Sequence, residues 1–164
     1  NHDARSASSD SLSGVHFDSF DFPRNAEANR PGGGQASLTE AYYSFDHGRV
    51  HFVCLDSEDS DIDAASLQAA WLRADLALAR SIGQQWLVAF WHHPPYTKGS
   101  HDSDSESKLI GMSESIVPIL EEGGVDLVLT GHSHVYERSH LLNRHYGSSS
   151  TFVSRTHIIQ SGRG

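Results

Sequence analysis

Residues 86–91 read WLVAFW and residues 125–130 read VDLVLT, and these two runs constrain the fold more than anything else in the chain. Each is short, mostly apolar and bounded by turn residues, the pattern of a strand buried on both faces of a sheet. Before the first run the period changes. Leu67, Ala70, Trp71, Ala74 and Leu78 recur at helical spacing, which predicts a helix over residues 66–81, with Asp61 or Asp63 as its cap and Gly83 at its end. A shorter helix is predicted over 113–122, closed by Gly123 and Gly124. Upstream, residues 42–45 and 50–55 are β-prone and flank a turn that contains Gly48, which predicts a hairpin. A last strand is expected over 156–160, after a loop at 143–150. Strand, helix, strand, helix, strand is the order of an α/β layered fold. Residues 4–37 are polar and broken by Pro31-Gly32-Gly33-Gly34, so they read as a long loop of the functional or mobile kind.

Composition narrows the function classes. A length of 164 residues suits one domain or part of one. The formal charge of -9 argues against a general nucleic-acid-binding role. No apolar stretch approaches the roughly 20 residues that span a bilayer. The single cysteine, Cys54, excludes an internal disulfide framework and reads as a buried core thiol between Val53 and Leu55. The chain starts at Asn1 without a signal peptide and stops just after an apolar run. Both ends read as cut, which predicts a piece of a longer protein.

Both predicted buried strands end in histidines. WLVAFW runs into His92-His93-Pro94-Pro95, and VDLVLT into Gly131-His132-Ser133-His134. Functional groups in α/β folds gather where strands end. Residues i and i+2 share a face only in extended chain, so His132 and His134 can aim both imidazoles into one small volume. Neutral imidazole is the commonest metal ligand. Gly131 would let the backbone turn without a Cβ clash. Taken alone, either histidine pair is better explained as a surface or hydrogen-bonded pair; two pairs behind two strands favour a metal.

These residues resemble the calcineurin-like metallophosphoesterases. Asn1-His2-Asp3 is similar to their Asn-His-Asp/Glu block, and Ala89-Phe90-Trp91-His92 with His93-Pro94-Pro95-Tyr96 to a later one. Residues 131–139, GHSHVYERS, resemble the last block in the form typical of purple acid phosphatases. Shorter matches at residues 42–46, 50–52, 55–57 and 71–72 extend the likeness over nearly the whole chain. The resemblance implies a layered α/β/β/α sandwich carrying a dinuclear metal site, with residues 1–164 as the C-terminal portion of the catalytic domain. It implies that Asn1, His92 and His132 bind one metal and His134 the other, the metals being iron, zinc or manganese. The Asp and Tyr ligands of the family come from blocks that precede Asn1 in family order, so this stretch alone is expected to be inactive. Ala89 stands where the family usually has Val.

The implied reaction is hydrolysis of a small phosphorylated substrate, of acid phosphatase type, by a hydroxide bridging two metals about 3.5–4 Å apart. His2 would protonate the leaving oxygen with Asp3 orienting it. His101 would face the substrate, binding phosphate or donating a proton. Arg138 would touch phosphate or pair with Glu137 or Asp126. A phosphodiesterase or nucleotidase on the same metal core, and a catalytically silent metal-binding domain, are the alternatives. The branch is often secreted, which implies an extracellular protein. His16, His47, His51, His140, His145 and His157 receive no role, His51 being read as part of the sheet. The acidic run 57–63 lacks EF-hand spacing and reads as a solvated entry to the helix.

Overall fold

The structure, a computed structural model, describes residues 7–160. Asn1, His2 and Asp3 lie outside the described residues. The hairpin forms as expected: β1 (Tyr43–His47) pairs antiparallel with β2 (Val50–Cys54), and Gly48 turns at φ 61°. The β3 strand (Trp86–Phe90) then lies parallel to β2, and β4 (Leu127–Leu129) parallel to β3. The sheet order is β1-β2-β3-β4. The helix α2 (Leu67–Ser81) makes the crossover from β2 to β3, and the helical segment from Ser107 to Glu122 makes the next. That second segment begins earlier than the sequence indicates. It runs through α3 (Ser107–Gly111), a π-helical turn (Met112–Ile116) and α4 (Val117–Glu122). The expected last strand, β6 (Ile158–Gln160), pairs with β5 (Leu141–Leu142) in a separate two-stranded sheet. The fold is mixed α/β, a sheet flanked by helices. Among the described residues no helix is long and apolar enough to cross a membrane.

The core lies on one face of the sheet. Val53, Leu55, Leu87, Ala89 and Trp91 meet Leu72 and Leu76 of α2 and Met112, Ile116 and Leu120 of the second helical segment. The alternate residues Phe45, Phe52 and Phe90 stack on the opposite face, where they are only half-buried. Three sequence expectations need correction here. The buried stripe of α2 is Gln68, Ala69, Trp71, Leu72, Asp75, Leu76 and Ala79. Of the five positions picked by apolar period only Trp71 is buried, and Leu67 is 83% exposed. The period was right and the phase wrong, because two polar residues on the inward face, Gln68 and Asp75, hid it. The cap is Ser66, whose side chain accepts from the Ala69 N–H, rather than Asp61 or Asp63. Finally, β4 is not a buried strand. It is an edge strand with Leu127, Val128 and Leu129 at 49%, 36% and 52% exposure, because no further strand or helix covers it among the described residues. Cys54 is half-buried on the aromatic face; burial and then nearby Asp56 push its thiol up to about 12, despite a side-chain hydrogen bond with Tyr43.

A buried polar chain ties the end of the long polar segment, at Arg30 and Gln35, to the sheet and α2. His51 Nδ1 lies 2.7 Å from Asp46 Oδ1 and its Nε2 2.8 Å from Asp75 Oδ2, with all three side chains inaccessible or nearly so. Burial opposes a charge on His51, but Asp75 and then Asp46 outweigh it and its pKa is raised. Asp75 also accepts from Gln35 N and Ser44 Oγ, and Asp46 from Arg30 N. A polar segment without a core of its own is thereby tied to the hairpin and α2. It also contains a short helix, α1 (Val15–Ser19), that its composition did not show.

Candidate metal centre

Parallel strands bring their carboxyl ends to one edge of the sheet, and the site is built there. The residues after β2 are Leu55-Asp56-Ser57-Glu58, those after β3 are His92 and His93, and those after β4 include Gly131 to His134. The strand ladder continues past the strand ends: Leu55 N donates to Phe90 O, Trp91 N to Leu129 O and Gly131 N to His92 O. Register alone therefore places His92 beside His132. His132 and His134 both adopt left-handed backbone, at φ 68° and 51°. Such conformations are uncommon for residues with a Cβ and are held by surrounding contacts. The expected role of Gly131 is corrected: it has no positive φ, and an added Cβ would sit at an ordinary 3.6 Å from His92 Nδ1.

His92 Nε2 and His132 Nδ1 are 3.0 Å apart. His93 joins them, and the three residues each offer a nitrogen within 4.8 Å of the others. A second group of the same compactness consists of His101, Glu106 and His132. The His101 and His132 rings lie 3.8 Å apart, His101 Nδ1 is 2.9 Å from Glu106 Oε2, and His132 Nε2 is 3.6 Å from the same oxygen. His132 thus belongs to both groups, with one nitrogen toward each. Sequence reasoning kept His93 out of the ligand set as a residue that packs or hydrogen-bonds beside the site. It does hydrogen-bond there, Nδ1 to Ser57 Oγ at 2.8 Å, yet it also belongs to the cluster. Glu106 was missed altogether. The available signal was a carboxylate five residues after His101, just before an apolar helical run.

The donor set fits a cation. Burial, then His92 and His132, hold His93 down to about 4, so its imidazole is neutral in ordinary buffers. The hydrogen bond from the Asp102 N–H, and then His101, lower the Glu106 carboxyl, so it is ionised. Imidazole nitrogens and a carboxylate within a few ångströms of one another are what borderline divalent and trivalent ions take. Imidazoles this close repel once protonated, so a cation is the better partner for the pocket.

The remaining expected residues fall elsewhere. His134 is exposed and belongs to neither group among the described residues. Arg138 is exposed too, and the pairing expected for it is replaced: Glu137 accepts from Thr97 Oγ1 and Lys98 N, while Asp126 takes Leu87 N and Arg80. Within the acidic run Asp59, Asp61 and Asp63 are exposed, as a solvated helix entry requires. Asp56 just before it is a hub, accepting from Ser9 Oγ, Ser60 Oγ and the Glu58 N–H; burial opposes its charge, but these bonds keep its pKa lowered.

The sequence model of one family, described as calcineurin-like phosphoesterase, matches residues 1–136. Among curated proteins, purple acid phosphatase 22 of Arabidopsis thaliana is 41% identical over 103 residues, 62% of this chain and 23% of the relative. Purple acid phosphatase 23 of the same plant is 37% identical over 135 residues, 82% of this chain and 27% of the relative. An uncharacterized protein of Mycobacterium tuberculosis is 30% identical over 147 residues, 80% of this chain and 27% of the relative. The chain spans about a quarter of the length of these relatives.

Proposed function

The chain belongs to the calcineurin-like phosphoesterase family, and from that premise we propose that it supplies the histidine half of the metal centre of a phosphomonoesterase of purple acid phosphatase type. The observation that carries the reading is the meeting of His92, His132 and His101 at one sheet edge. Asn1, His92 and His132 would hold one cation and His134 would contribute to a second; His93 and Glu106 are close enough to join. When bound, such cations neutralise phosphate oxygens and lower the pKa of a water.

The protein's own groups then do the following. His101 stands over His132 with Nδ1 fixed by Glu106, which leaves Nε2 to bind a phosphate oxygen or to protonate the departing alcohol. His2, oriented by Asp3, is the second candidate acid. In the balanced reaction the oxygen of water bonds to phosphorus and the ester P–O bond breaks. The alcohol oxygen leaves with the proton that the acid donates. Ser57 and Glu58 fix the orientation of His93 through one ring nitrogen each.

The test is to assay the full-length protein on 4-nitrophenyl phosphate and bis(4-nitrophenyl) phosphate, with metal content measured by plasma emission. Monoester hydrolysis that is lost with chelation and restored by iron, zinc or manganese is the expected result. Preference for the diester would move the assignment to a phosphodiesterase. Metal binding without hydrolysis of either ester would make this a silent metal-binding domain.

A further inference from the structure

We propose that His101 and Glu106 hold a regulatory divalent cation beside the catalytic centre, one that binds when metal is in excess and blocks the acid; this deepens the phosphomonoesterase reading above and rests on it. His101 Nδ1 lies 2.9 Å from Glu106 Oε2. Zinc bonds of roughly 2.0–2.2 Å to nitrogen and oxygen put tetrahedral donors about 3.4 Å apart, so a small side-chain adjustment admits the ion. The two side chains are 36% and 37% exposed, so an ion reaches them from solvent. His93, on the other side of His132, is buried.

The pair is built in advance. Glu106 Oε1 accepts from the Asp102 N–H at 2.9 Å, which fixes the carboxylate against the imidazoles. Thr97 Oγ1 lies 2.7 Å from Ser133 Oγ, which ties the loop that carries His101 to the turn that carries His132. The neighbouring lysines are engaged with other carboxylates, Lys98 with Asp104 at 2.8 Å and Lys108 with Glu58 at 3.5 Å. Glu106 is left facing His101 and His132. An imidazole, unlike an ammonium, has a lone pair with which to share a cation with a carboxylate.

Two protein donors make a weak site, and that sets the order of filling. His132 faces His92 through Nδ1 and Glu106 through Nε2. Once Nδ1 holds the catalytic ion, Nε2 keeps its proton and donates to Glu106. The added ion therefore rests on His101, Glu106 and water, and it fills after the catalytic ions. Its effect falls on the acid. As the ion takes His101 Nδ1, the proton there leaves to solvent and the remaining one stays on Nε2. The ring then no longer cycles between its charged and neutral forms near neutral pH, and it cannot protonate the departing alcohol.

The experiment titrates zinc into the full-length protein already loaded with its catalytic metals, and follows zinc bound, catalytic metal retained and 4-nitrophenyl phosphate turnover together. The wild type should take up further zinc and lose turnover about tenfold or more as it binds, with its catalytic metals retained. Glu106→Gln, slower in itself, should weaken that extra binding about tenfold and move the midpoint of inhibition by the same factor. Should Glu106→Gln not fold, His101→Ala gives the same reading. No further zinc in the wild type, unaltered binding in the variant, full turnover with the further zinc bound, or catalytic metal released as zinc enters each overturns the proposal and leaves the phosphoesterase reading intact. If the wild type hydrolyses no ester, the phosphomonoesterase reading fails and the regulatory role fails with it, even where zinc binding still depends on Glu106.

Discussion

His92 and His132, forty residues apart in the chain, face each other Nε2 to Nδ1 at 3.0 Å across the carboxyl ends of two adjacent parallel strands. Neither position is special by itself. The β3–β4 ladder, continued by the Gly131 N–H to His92 O bond, makes the pair.

Replacing either member should therefore dismantle the centre without unfolding the protein. In the full-length protein His92→Ala and His132→Ala should each lower turnover by roughly a hundredfold and reduce bound metal. Activity and metal stoichiometry that both match the wild type would falsify the assignment.

One carboxylate oxygen of Glu106 reaches both His101 Nδ1, at 2.9 Å, and His132 Nε2, at 3.6 Å, a meeting that the sequence did not reveal. Glu106→Gln keeps the shape but removes the charge that fixes both rings. About a tenfold fall in kcat is expected, with a smaller change in KM and a displaced acidic limb of the pH–rate profile. A profile superimposable on the wild type would assign Glu106 no part in the site.

The buried His51 sets a pH dependence of stability. Its folded-state pKa is raised above the ordinary value of 6.5 by Asp75 and Asp46 against the cost of burial. A raised folded value means the extra stability is fully present below about pH 6.5 and is lost as pH rises through the folded-state value. His51→Gln should cost about 3–5 kcal/mol in mild acid, as breaking a buried pair does, and less in alkaline buffer. Urea unfolding at several pH values measures this; a penalty that grows with pH would contradict the sign.

Two packing variants separate core from cap. Leu72, fully buried under β2 and β3, should lose about 2–5 kcal/mol on change to alanine. Ser66→Ala removes the α2 cap and should cost about 1 kcal/mol. Thermal unfolding of the two variants side by side gives the ratio.

Much of the architecture was legible in advance because it depends on local pattern. The hairpin, α2, the helix over 113–122 and the apolar β3 each follow from period and turn chemistry within a short window. The phase of α2 was not legible. Gln68 and Asp75 point inward because β2 and the segment after it offer them the Asp56 backbone and His51 as partners. The exposure of β4 escaped for a related reason: a run such as LVL states that burial is favourable, while only neighbours decide whether it occurs.

The sequence by itself determined the family: histidines behind two apolar runs, and blocks that match those of the calcineurin-like phosphoesterases. Tertiary structure alone decided the membership of the pocket. Among the described residues His93 and Glu106 stand with His132 in groups that could hold a metal and His134 stands in neither, because such groups depend on distances between nitrogens and oxygens in space. Those distances arise from strand register, left-handed turns at His132 and His134, and a loop held by Lys98 and Thr97. They are set by long-range packing, which no window of residues along the chain contains.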